Sequence, residues 1–364
     1  MFPQPCRFPA TKVNSQTNVE IAAMIEAKRS LTPLVIPLPV RVPPNFFGIS
    51  FGLLGLANAW RLAAIHDGVP AFAGFALLAL GTLVFAFLLA ALAVKIATAL
   101  SRVVAEMKDD VLGPFYALPP CCAIVLAIGL RSFSPGPGRT VLTAALVLGT
   151  LYGAWVTTYW MMRDTRDEAL ANPAYFLSTV AFGFLAADAL ALYGLRDLAW
   201  MYFGVGTISW LMLGSITGYR LNFVSPRLQP ALIPSLAIEV SWAPIAANAY
   251  LSLDGNRPDA IVMMLAGYAV YMVLRQIVLL HLYRRLRFGP PSWMFTFPSA
   301  AVAVFAERWN AASPSALSTV AAIVALAAAT AIVGWVGVRT LVAISRGEFL
   351  GPPALETHPR APAS

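Results

Sequence analysis

Apolar residues run along this chain in ten long, nearly unbroken stretches. They cover approximately 44–63, 70–98, 113–130, 139–162, 173–195, 198–220, 229–253, 258–283, 291–307 and 314–343. Prolines and glycines punctuate them, at Pro43-Pro44, Gly113-Pro114, Pro135 through Gly138, Pro173, Pro230, Pro258, Pro290-Pro291 and Pro314. A helix needs roughly 20 apolar residues to cross the hydrocarbon of a bilayer. Lipid cannot hydrogen-bond an open backbone, so the stretches read as helices. They are continuously apolar rather than alternating, which excludes a membrane β-barrel. The pattern therefore predicts an all-α integral membrane protein with ten transmembrane helices.

Composition agrees. Of 364 residues, 59% are hydrophobic and 12% charged. A soluble domain carries about 25% charged residues and cannot hide this much apolar surface in one core. A soluble enzyme, a disordered chain and a nucleic-acid binder are excluded. The net charge of +8 fits basic loops on the cytoplasmic side. With the N-terminus inside, the inner segments hold 18 Lys and Arg and the outer ones 6, among them Arg61, Arg131 and Arg308. That split predicts cytoplasmic tails at 1–42 and 347–364 around a transmembrane domain at 43–346. Residues 1–42 are polar and proline-rich, with no early apolar core for a signal peptide.

Prolines inside the stretches fall only in odd-numbered ones: Pro119 and Pro120 in the third, Pro234 and Pro244 in the seventh, Pro298 in the ninth. The odd stretches also begin at even intervals, 69, 60, 57 and 61 residues apart from Pro44 to Pro291. Proline removes a helix hydrogen bond and kinks the rod. This predicts five helical hairpins, each with one kinked and one smoother helix. The odd stretches have small and neutral polar residues, including Gly48, Gly52, Gly55, Thr179 and Thr296, and no interior Lys or Arg. Small faces let backbones approach, with Gly48 and Gly52 as one such contact. Kinked helices with such faces suit a narrow path with the smooth helices outside.

Four segments then carry a family resemblance. They are Phe46 through Gly55 with Trp60-Arg61, Phe203 through Leu211, Pro230 through Ile238, and Trp293 through Pro298. Together they resemble the tellurite-resistance/dicarboxylate transporter family, of TehA-like proteins and slow-type anion channels, over roughly residues 43–345. The resemblance implies odd helices around an inner pore, even helices in an outer ring, and a homotrimer with one pore per subunit. It implies small inorganic or organic anions as substrates and a phenylalanine plug. The match of Thr296-Phe297-Pro298 puts that gate at Phe297, with Phe295 as the nearest rival. Gly52, Gly55, Pro119, Pro120, Thr179, Pro244, Thr296 and Pro298 are the candidate pore-lining and kink residues.

Three charges stand inside the stretches: Asp188, Glu239 and Arg275. Each is costly in lipid and so suggests pairing or function. Glu239 reads as a strut paired with Arg275, as a proton site of a coupled transporter, or as a vestibule residue. Asp188 is close enough to a helix end to read as solvated. Arg284, Arg285 and Arg287 read as a topology signal, with lipid headgroup contact second. Chemistry of other kinds finds no support. Cys6, Cys121, Cys122, His66, His281 and His358 have no metal-ligand spacing. Asp109-Asp110 lacks the further carboxylates a magnesium site needs. No cofactor, catalytic centre or nucleic-acid partner is expected. The reading is an anion channel or uniporter of the cytoplasmic membrane. The alternative is a proton-coupled carrier or exporter for dicarboxylates, sulfite or tellurite.

Overall fold

A computed structural model describes residues 41–163, 171–224 and 227–349. The expectations for the two tails fall almost wholly outside these residues. Among the described residues every regular element is helical. The α-helices are α1 (Phe47–His66), α2 (Ala71–Lys108), α3 (Leu118–Leu130), α4 (Pro135–Met162) and α5 (Val180–Leu192). They continue with α6 (Arg196–Phe223), α7 (Trp242–Leu253), α8 (Ala260–Tyr283), α9 (Thr296–Ala312) and α10 (Ala316–Ser345).

Eight helical segments have the length and composition of a membrane span. The other two are the α7 and α9 regions. There α7 is 12 residues long, and α9 carries Glu307 and Arg308 in its last turns.

Each odd helix is preceded by a 3₁₀ turn with proline in its first two positions. These turns are Pro44–Phe46, Gly113–Ala117, Pro173–Ser178, Ile233–Val240 and Pro290–Phe295. Proline suits a first turn, where its missing N–H costs no bond and its fixed φ is already helical. Pro119, Pro120, Pro244 and Pro298 lie likewise in the first turn of α3, α7 and α9. The odd spans therefore do not kink in mid-helix as expected. They change from a tight 3₁₀ winding to an α winding, and the prolines mark the change.

The expectation that even helices are smooth also needs correction. Ala99 in α2 has φ −147° and ψ 47°, which breaks the helix. Lys95 and Glu106 would stand ~16 Å apart along a straight axis. Across the break the ammonium and carboxylate meet at 2.6 Å. Lys95 Nζ also donates to Val42 O, and the Tyr116 hydroxyl donates to Glu106. A buried lysine is tolerated because it is paired and hydrogen-bonded.

Burial alternates along the chain. Of the most apolar window in each span, 83% is buried in Gly113–Leu130 but only 11% in Arg196–Phe223. Every odd helix packs against the even helix that follows it, and α1, α3, α5, α7 and α9 touch in sequence until α9 meets α1. Close packing of the pairs rests on small residues. A Cβ on Gly183 of α5 would lie 2.6 Å from the Gly206 amide of α6. Cys121 and Cys122 are buried free thiols within this core.

Loop chemistry closes the ends. Asp109 accepts the Val111 and Leu112 amides, and Asp110 pairs with Arg163. The aspartate pair is a turn and an ion pair. Asp259 caps α8, accepting the Val262 and Ile261 amides and the Tyr250 hydroxyl. The Val262 amide first, then that hydroxyl, hold its carboxyl below the ordinary aspartate range. A depressed folded value gives stability above the unfolded pKa that is lost as pH falls through the folded one. Asp259→Asn should thus flatten part of the acid loss of stability below pH ~4, read as Tm against pH in detergent.

Candidate functional site

Two cavities lie among the odd helices, and Phe297 lines both. The smaller, about 30 Å³, is bounded by the 3₁₀ turns and the first helical residues after them. Asn45, Phe51, Phe115, Leu177, Ile238 and Trp293 contribute, one or more from each odd span. The larger, about 170 Å³, is bounded by residues farther along the same five spans, such as Asn58, Val125, Leu185, Asn248 and Val304. The change of winding at each span thus roughly coincides with the change from one cavity to the other.

The ring that borders both cavities is held on one side by α1. Phe297 is 7% exposed and stacks on Phe51, ring centroids 3.5 Å apart at 10°. Gly52 and Gly55 make that approach feasible. A Cβ on Gly52 would fall 2.0 Å from Thr296 Oγ1, and one on Gly55 3.0 Å from the Phe297 ring. Gly48 has ordinary spacing, 3.5 Å from Trp293 Cβ, so the tight contact is Gly52 with Gly55 rather than Gly48 with Gly52. Thr296 is fully buried between α1 and α9 and donates to Trp293 O.

Gly55 lines the larger cavity and Pro298 the smaller. Gly52, Pro119, Pro120, Thr179, Pro244 and Thr296 line neither. Phe295 also lines neither; it packs edge-on against Tyr283 of α8 at 4.8 Å. Glu239 and Arg275 lie away from both cavities and form an ion pair at 3.3 Å. If the pair is a strut, Glu239→Gln lowers Tm and leaves any pH dependence of transport unchanged. Loss of pH dependence with Tm intact would make it a proton site instead.

Charge enters the larger cavity where the sequence reading did not expect it. Arg308 lies within α9, not in an outer loop, and Arg61 within α1. Asp188 is not solvated: it is 5% exposed and grips Arg308 with both oxygens, at 2.8 and 3.2 Å. Arg308 also donates to Asn248 O at 3.0 Å and the Ser252 hydroxyl at 2.7 Å. Arg61 donates to Gly129 O and the Ser132 hydroxyl and sits near the faces of Phe75 and Phe133. With Arg131, three guanidinium groups and one carboxylate line this cavity. The smaller cavity has no charged lining residue. Hydropathy could not place these arginines, since each stands near a span end where interior and loop look alike. Phe51 had one legible sign: it precedes Gly55 by one turn and shares its face.

Glu307 is fully buried, and among the described residues no nitrogen donor reaches its oxygens. Its nearest carboxylate neighbour is Asp67, which accepts from Asn310. Among the described residues no cluster of metal-ligating side chains occurs.

An all-helical membrane protein with a basic cavity lined by its helices and bordered by an aromatic ring is the class these features define. The chain belongs to the voltage-dependent anion channel family, whose model matches residues 41–341. It is similar to the tellurite resistance protein TehA homolog of Haemophilus influenzae, 24% identical over 326 residues that cover 86% of this chain and 94% of that protein. It is also similar to the S-type anion channels SLAH3 and SLAH2 of Arabidopsis thaliana, each 22% identical, over 84% and 81% of this chain. The matches cover 49% and 57% of those two plant proteins, so the chain spans about half their length. Its family is one of membrane anion channels and transporters, not of enzymes.

Proposed function

We propose that this chain is a passive anion channel or uniporter of the cytoplasmic membrane, gated by Phe297. In this reading all ten helices span the bilayer as five hairpins, the odd helices surround a pore, and both termini are cytoplasmic. The observation that supports it is that Phe297 lines both of two cavities walled by the same five spans. A hydrophobic ring that fills a narrow path stops ions by excluding water. Small anions would enter the larger cavity, where three guanidinium groups outweigh one carboxylate. The uncharged smaller cavity would let them leave without being trapped, since conduction needs weak binding.

Reconstitution into planar bilayers with anion substitution at several pH values tests this. Voltage-dependent anion current without a pH gradient is the expected result. Current that requires a proton gradient would favour the second reading, a coupled carrier for dicarboxylates, sulfite or tellurite. One observation speaks for that alternative: Glu307 is a fully buried carboxyl group beside the Asp67 carboxyl, and intramembrane carboxyls often belong to proton pathways.

A homotrimer belongs to the same proposal. The even helices present large apolar side chains outward, such as Phe72, Leu83, Met212 and Leu341. Some of that surface would face neighbouring subunits and the rest lipid. Mass measurement in mild detergent should give three chains per particle; a stable monomer would remove this part.

A further inference from the structure

A third cavity, of about 550 Å³, lies apart from the two just described, between the segment that follows α8 and the end of α10. Arg287, Arg339 and Arg346 line it with one carboxylate, Glu348. Its apolar wall includes Phe288 and Val342. Among the described residues, none of the three guanidinium groups forms an ion pair or donates a hydrogen bond. Three guanidinium groups around one pocket repel one another, and a single carboxylate leaves a surplus of two positive charges.

One of the three is pre-positioned. The Arg339 guanidinium stands 5.2 Å from the Phe288 ring centroid and 5.7 Å from that of Trp335. Aromatic faces attract a cation and hold it without occupying its N–H donors. The donors of Arg339 therefore stay free for an anion. Planar guanidinium groups match the oxygens of phosphate in pairs, which a point charge such as lysine does not.

Depth in the bilayer narrows the ligand. The 30-residue α10 is about 45 Å long, well over the ~30 Å of hydrocarbon, so an end turn can stand at headgroup level. Arg339 is six residues from the end of α10. Trp335, 55% exposed one turn before it, has the place of an interfacial anchor.

We propose that this cavity binds a phosphate group, and that the phosphate comes from the headgroup of an anionic lipid whose glycerol and upper chains rest on the apolar wall. Phe349, which also lines the cavity, packs on Phe46 in the turn before α1 at 5.1 Å. A lipid held here thus lies against a residue that contacts the start of a cavity-lining helix.

The test is lipid retention by the full chain, read by native mass spectrometry from micelles of mild detergent with phosphatidylglycerol or phosphatidylcholine. Wild type should retain phosphatidylglycerol at least tenfold better than phosphatidylcholine. The triple variant R287Q/R339Q/R346Q should lose most of that preference. R284Q/R285Q, two exposed arginines of the same segment outside the cavity, should keep it within about twofold. Retention that a large excess of inorganic phosphate does not compete away supports the lipid source. Competition by inorganic phosphate alone supports the same phosphate chemistry and overturns the lipid assignment. Equal loss in both variants shows that surface charge suffices and overturns the site, as does an unchanged triple variant. The single variant R339Q, also expected to reduce the preference, guards against a misfolded triple variant; Tm without lipid reports on the fold of each.

Discussion

Phe297→Ala is expected to raise anion conductance several-fold or more. The ring lines both cavities and stacks on Phe51. Its removal would join them into one water-filled path. Phe297→Leu keeps much of the bulk and should raise conductance less. Phe295→Ala should leave it nearly unchanged, because that ring packs on Tyr283 instead. Salt should not mimic the opening, since a steric plug is not screened as an ion pair would be. Truncating a buried Phe typically costs about 3–5 kcal/mol. The lower part of that range is expected here, as cavities already border the ring on two sides. Current from single proteins or whole cells at matched expression is the measurement. If Phe297→Ala conducts no better than wild type while Phe295→Ala does, the wrong ring has been assigned. If neither conducts, the steric gate fails.

Arg308→Gln should reduce both stability and anion flux. It leaves Asp188 buried without a counter-charge, held only by the Ser252 hydroxyl, which costs about 3–5 kcal/mol. It also turns a compensated site into a net negative one at the wall of the larger cavity. One unit charge about 10 Å from a passing anion, at an effective dielectric near 20, is worth about 1.7 kcal/mol, roughly 17-fold in occupancy. Asp188→Asn acts in the opposite sense: Arg308 keeps Asn248 O and the Ser252 hydroxyl but loses its counter-charge. Anion half-saturation should then fall, with some loss of Tm. The double variant should return occupancy towards wild type. Measuring all three with Phe297→Ala as background keeps the gate from limiting the current. Unchanged half-saturation in both single variants would show that the anion path does not pass this pair.

Long-range placement explains why some of this was legible in advance. Continuous apolar stretches require lipid and helices, whatever the tertiary arrangement, because backbone polar groups must bond within each span. The recurrent prolines could be read as an irregularity of the odd spans. Their effect could not, since the same residue can kink a helix or start one, and only the surrounding winding decides. The pairing of Asp188 with Arg308 is not legible in the sequence, because 120 positions of chain separate them. Nothing local distinguishes a solvated span end from a buried ion pair assembled from two spans. Lys95 and Glu106 fall together only because α2 breaks at Ala99, a residue type with high helix propensity and no breaking signal of its own.

The amino-acid sequence by itself determined that the protein is helical and membrane-embedded, where nearly every span begins, and, by resemblance, to which family it belongs. These follow from hydropathy, proline chemistry and motif order, which are properties of short segments. Only the tertiary structure decided that α1 presents Gly52 and Gly55 to α9, that Phe297 lines two cavities, and that the larger of those two is basic. Those depend on distances between residues far apart in the chain, and packing of five helices against one another sets such distances.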